Sequence, residues 1–191
     1  MEELKIRKIL SRIVTDDDQT AFQELFELFY TRLLSFANSI IKSDSLAEEI
    51  VLDVFTHVWQ NRSQLNSIAR PVSYLYVAVK NTSINYLGRL DEQPKFSLEN
   101  IDINTAVFDC SPEIEYISTE LQENIQKVIE TLPPKCKLIF KLIREDGLKY
   151  AQVAEILNIS INTIDCQIAI ALKRIGKALN VDPAVKPRKK K

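Results

Sequence analysis

Ala154, Asn158 and Ile164 stand four and six residues apart in a stretch, 150–175, that has the outline of two helices joined by a tight corner. A helix-turn-helix needs a small residue where its helices cross, one tolerant of positive φ in the corner, and an apolar one to hold the second helix down. Ala, Asn and Ile meet those needs in that order. Ser160 is a natural N-cap for the second helix. Beyond it, Asn162, Thr163 and Gln167 are placed to meet base edges in a major groove. Ser160 and the free N–H groups of the helix end can accept a phosphate. Asp165 can accept from cytosine N4, or simply serve the helix dipole. From Ser160 to Leu172 there is no Lys or Arg, so phosphate contacts must come from the surroundings: Lys149 before the first helix, and Lys173, Arg174 and Lys177 late in the second. Val153, Ile156, Leu157, Ile159, Ile164, Ile168 and Leu172 are the expected shared core. A plain helical hairpin is the competing reading of this spacing.

Other chemistries find little support. His57 is the only histidine, on an ordinary helical pattern, with no cysteine or carboxylate spaced as a metal or nucleophile partner. Neither a metal site nor a cofactor is expected, and an enzyme is not. Three glycines in 191 residues argue against phosphate-cradling loops and against a sheet rich in tight turns. Cys110, Cys136 and Cys166 lack CxxC spacing and read as reduced thiols. The charged start MEELKIRKIL is no secretory signal, and no apolar run approaches a membrane span, so a cytoplasmic protein without membrane insertion is expected.

The elements that must position these residues are helices. From Ala21 to Ile41 the apolar residues Phe22, Leu25, Phe26, Phe29, Leu33, Phe36, Ala37 and Ile40 recur at three- and four-residue steps. The segment after Ser43 repeats the rule, with Ala47, Ile50, Val51, Val54, Phe55 and Val58 inward and Ser43 or Ser45 as cap. A third helix opens at Pro71, and a short one is expected over 4–14. A second unit holds helices over about 113–131 and 134–144, the latter ending where Gly147 supplies a left-handed cap. The fold class is therefore all-α, with two small helical domains over 1–90 and 124–182. An acidic linker, 91–123, joins them, and a basic tail, 183–191, follows. Residues 91–123 carry a net charge of −8 and residues 173–191 a net of +7, inside a chain of net −1. Such segregation suggests modules with different partners.

The stretch LPPKCKLIFKLIREDGLKYAQVAEILNISINTID resembles the fourth conserved region of extracytoplasmic-function (ECF) sigma factors of bacterial RNA polymerase, in the sigma-70 superfamily. The stretches AFQELFELFYTRLLSFANSII, SLAEEIVLDVFTHVWQNR and PVSYLYVAVKNTSINYLGR resemble its second region, in the right order. The resemblance implies that the second helix docks on the polymerase clamp, through Glu49, Leu52 and Asp53 here. Leu52 stands where the family usually has Gln. It also implies that the third helix melts the promoter. There Tyr76, Lys80, Asn81, Asn85 and Arg89, with Tyr74 and Tyr86, interleave stacking faces, base-edge amides and phosphate cations. Tyr74, at the family's usual Trp position, is the tyrosine expected in the core. Asn85 and Gly88 depart from the common Asp and Arg, and Gly88 weakens the helix end by up to ~1 kcal/mol. A basic residue usual near Ile170 is missing.

The implied function is a nonenzymatic specificity subunit that mounts on core RNA polymerase and opens promoter DNA, with room for an anti-sigma partner. The acidic linker would complement basic polymerase walls, or act only as a self-repelling spacer. The rivals are a stand-alone helix-turn-helix regulator with its own operator, and a helical adaptor that binds polymerase without directing transcription.

Overall fold

The computed structural model describes residues 2–90 and 119–178, and the regular structure among them is entirely helical. The first compact unit is built on α1 (Glu2–Asp16), α2 (Gln19–Ile41), α3 (Asp44–Gln60) and α4 (Pro71–Leu90), with a 3-10 segment at Arg62–Ser67. The second is built on α5 (Thr119–Glu130), α6 (Pro134–Arg144), α8 (Ile161–Ala178) and most of α7 (Tyr150–Leu157). The expected linker falls largely on 91–118, which lies outside the described residues, as do the start of the helix expected from 113 and the basic tail. Residues 119–123, counted with the acidic segment by charge, are already helical in α5.

In the first unit α2 is the central helix, packed by α1, α3 and α4. Its stripe buries Leu25, Phe29, Leu33, Phe36 and Ala37, and α3 buries Ala47, Ile50, Val51, Val54, Phe55 and Val58. Both sets follow the 3.6-residue period. Phe22 and Phe26 sit at the edge of that stripe, where their rings meet Phe55 at 6.1 and 4.8 Å. Asp18 caps α2 by accepting from the Thr20 and Ala21 N–H groups at 2.9 and 3.1 Å, and Arg12 of α1 closes on the same carboxylate at 2.7 Å. One side chain thus starts α2 and fixes the angle at which α1 meets it. Ser43 holds the N-cap position of α3 without a side-chain capping bond.

In the second unit every residue of α6 from Cys136 to Leu142 is buried. The helix ends at Arg144 with Glu145 as its C-cap, and the left-handed residue, Gly147 at φ 68°, comes two residues later in the turn that follows. No single helix among the described residues is long and apolar enough to cross a membrane.

Candidate nucleic-acid interface

The corner of the second unit has the geometry its spacing demands. The axes of α7 and α8 bend by 109°, within the 90–120° of a helix-turn-helix. Asn158 turns the chain at φ 54°, and the Ile159 N–H returns to the Ala154 carbonyl at 3.1 Å. Lys149 precedes α7, and its N–H is held by the Gln152 side chain at 2.8 Å, the reach-back half of a capping box. Ser160 caps α8: its Oγ accepts from the Thr163 N–H at 3.1 Å and lies 2.9 Å from the Thr163 hydroxyl. Ile164, Ile168 and Ala171 face inward.

Leu172 does not join the core as expected: it is 40% exposed. The steps 164, 168, 171 place Ala171 on the buried side, and the next residue rotates by 100° towards solvent. Ile159 is only half-buried.

The outward stripe of α8 runs Asn162, Cys166, Ala169 and Lys173, flanked by Asp165, Ile170 and Lys177, all exposed. Thr163 and Gln167 are half-buried, off that stripe. Thr163 is engaged with Ser160, and Gln167 sits over α6, where its carbonyl accepts from the Cys136 thiol at 3.1 Å. Arg174 is exposed but tied down, donating to the Thr131 carbonyl past the end of α5 at 3.1 Å. It therefore fastens α8 to α5, with other guanidinium donors left over for a phosphate. Sequence reasoning missed Cys166 and Ala169 as outward residues. The inward steps of three and four from Ile164 would have revealed them.

In the first unit, Glu49, Leu52 and Asp53 are exposed on one face of α3, with Leu52 at 44%. Next to that face an open groove of about 300 Å³ runs between α3 and α4, lined by Asp53, Val54, His57, Val58, Tyr74, Ala78 and Thr82. On α4 the exposed residues Asn81, Asn85 and Arg89 follow one another at four-residue steps, so their side chains form a single stripe. Lys80 is half-buried and lies 100° around the helix from Asn81.

The two tyrosines exchange their expected places. Tyr76 is 0% exposed, its ring centroid 5.2 Å from that of Phe36, so it cannot offer a face to an unpaired base. Tyr74 is half-buried and lines the groove. The register explains the exchange: Val72, Tyr76, Val79 and Ser83 occupy the buried stripe of α4 at three- and four-residue steps.

The family model for sigma-70 region 2 matches residues 25–92, and the model for sigma-70 region 4 matches residues 122–175, together well over half of the chain. Among curated proteins, the ECF RNA polymerase sigma-E factor of Escherichia coli (strain K12) is 26% identical, with 98% of each chain covered. The protein of the same description from Haemophilus influenzae is 24% identical, covering 91% of this chain and 95% of its own. Among solved structures, the sigma factor RpoE in complex with the anti-sigma factor NepR, from Bartonella quintana, superposes with a TM-score of 0.55 at 22% identity, covering 84% of this chain and 98% of that one. CnrH in complex with the cytosolic domain of CnrY gives 0.53 at 15%, covering 92% and 97%. At these identities the solved structures speak for the fold.

Proposed function

The chain belongs to the sigma-70 family, as a sigma factor of the ECF type that directs transcription initiation, and from that premise we propose how its two units divide the work. The first unit docks on core RNA polymerase through the α3 face of Glu49, Leu52 and Asp53, then holds opened promoter DNA with α4. On α4, Asn81 and Asn85 offer amides to unpaired base edges, while Arg89 and Lys80 offer charge to phosphates. Tyr74, at the groove, replaces Tyr76 as the aromatic surface. The second unit grips duplex promoter DNA with α8. Lys149, Lys173, Lys177 and the spare donors of Arg174 contact the backbone. Ser160 and Thr163 belong to the cap of α8, where first-turn N–H groups favour a phosphate, and Asn162, Asp165 and Gln167 complete the candidate contacts.

The observation that carries this reading is the order of the two matched regions, one on each helical unit. A reading helix with no Lys or Arg from Ser160 to Leu172 should bind duplex DNA weakly by itself, which suits a protein that works only when mounted on polymerase. The protein itself is nonenzymatic and works in the cytoplasm, where core polymerase is. Two of the solved relatives were captured in complexes, one with an anti-sigma factor, and a partner of that class is proposed for this chain too. Run-off transcription with purified core polymerase and a promoter library tests the reading. Defined start sites that require the chain support it, and starts unchanged by its addition overturn it. A stand-alone regulator would instead bind a duplex tightly without polymerase, and an adaptor would bind polymerase and leave the starts random.

A further inference from the structure

Among the described residues, three of the five large apolar side chains left exposed lie on α8: Ile161 at 48%, Ile170 at 41% and Leu172. The thiol of Cys166 and the methyl of Ala169 are exposed on the same helix. Together Cys166, Ala169 and Ile170 make an apolar band on the outward side, beginning one turn after Asn162 and ending at Lys173. The band is on the solvent side of the second helix of the helix-turn-helix, and its leading member, Cys166, follows one turn after Asn162 in the N-terminal half that such helices turn to base edges.

The major groove is a chemical code. Guanine shows two acceptors there, N7 and O6, best read by a bidentate Arg or Lys. The outward stripe of α8 has no cation until Lys173, in its fourth turn. Cytosine shows a donor, for which Asp165 is the one outward acceptor group of that kind. Adenine shows an acceptor and a donor side by side, matched by the amide of Asn162. Thymine shows a 5-methyl group, and apolar side chains are what bury it.

Resting on the proposed function, we infer that α8 reads its duplex element mainly through thymine methyl groups, with Cys166, Ala169 and Ile170 as the contact residues and Asn162 paired to an adjacent adenine. The recognised element is then A·T-centred rather than guanine-centred. An apolar band of this kind gains nothing from a phosphate backbone, so the contact is specific by nature. Shifted by one base pair, the same side chains meet polar base edges and lose the methyl.

The test uses the full chain bound to core polymerase. Duplexes are selected from a random pool, the segment protected by the second unit is mapped, and its thymines are replaced by deoxyuridine, which removes only the methyl group. Burial of a methyl corresponds to about fourfold in affinity, so replacing two contacted thymines weakens binding by more than tenfold. The exposed Cys166→Ser and Ile170→Ala substitutions, which leave the core untouched, shrink the thymine-over-uracil preference. Equal binding of the two templates, or a preference unmoved by both substitutions, overturns the inference and leaves the band to a protein partner. Selection of a guanine-centred segment does the same, with the sigma assignment intact. Selection of no sequence at all, with polymerase bound, removes both.

Discussion

The ring of Tyr76 packs against that of Phe36 with centroids 5.2 Å apart and planes tilted by 59°. This aromatic pair joins α4 to the central helix α2, and it makes Tyr76 a structural residue. Tyr76→Ala should cost about 3–5 kcal/mol, the range for emptying an aromatic site in a core. A urea-unfolding midpoint measures it. Tyr74→Ala, at the groove, should cost less than about 2 kcal/mol yet reduce the opened-promoter signal in a permanganate footprint. If Tyr76→Ala unfolds normally and only promoter opening suffers, the assignment of the two rings is reversed.

Leu52 sits exposed between two acids on α3. Its replacement by Asp should leave the unfolding midpoint within about 0.5 kcal/mol while lowering affinity for core polymerase by roughly tenfold or more, as for a central apolar contact in an interface. Competition against a labelled wild-type chain reads the ratio directly. An unchanged ratio moves the docking face elsewhere on the unit.

Asp18 joins α1 to α2. The Thr20 hydroxyl first, then the Ala21 N–H and the Arg12 guanidinium, hold its carboxyl far below the usual carboxylate range. A carboxyl depressed by folding contributes stability in full above its unfolded pKa, near 4, and loses it as pH falls towards the folded value. Thermal unfolding followed from pH 7 to pH 3 should therefore show the gap between Asp18→Asn and the wild type constant down to about pH 4 and beginning to narrow below it. Asn still caps the helix, so the difference between the two curves isolates the charge. Parallel curves down to pH 3 would count against the ion pair.

Asn158 holds the corner between α7 and α8 at φ 54°. Asn158→Gly should be close to neutral, because glycine enters that region freely. Asn158→Val should cost about 1–2 kcal/mol through its Cβ, and the same variant should lose duplex binding out of proportion to that cost. Calorimetry and a promoter gel shift separate the two effects. A valine that costs nothing would mean the corner tolerates another conformation.

Much of the fold was legible because burial follows a period. The six inward residues of α3, the first turn of α4 at Pro71, the left-handed turn at Gly147 and the Asn158 corner are local rules acting on local sequence. The failures arose where a rule needed its register fixed from outside. Tyr74 and Tyr76 are both plausible core residues until Val72, Val79 and Ser83 define the buried stripe of α4. The hydrophobicity of Leu172 argues for the core, yet the smaller Ala171 occupies the inward step. The left-handed residues Asp17 and Lys42 are neither glycine nor asparagine, the residue types that most readily announce such a turn. Arg174 looked like a free phosphate contact because its carbonyl partner, Thr131, is 43 residues away in sequence.

The separation of amide and lysine along α8 has an electrostatic corollary. At 1.5 Å per residue, Lys173 lies about 16 Å and Lys177 about 22 Å beyond Asn162. Both spans reach two screening lengths or more at physiological ionic strength. Added salt should therefore loosen the grip at the trailing end while the leading end feels almost nothing. Like a boat moored by the stern, α8 would lose its hold on the strand before it lost its place in the message.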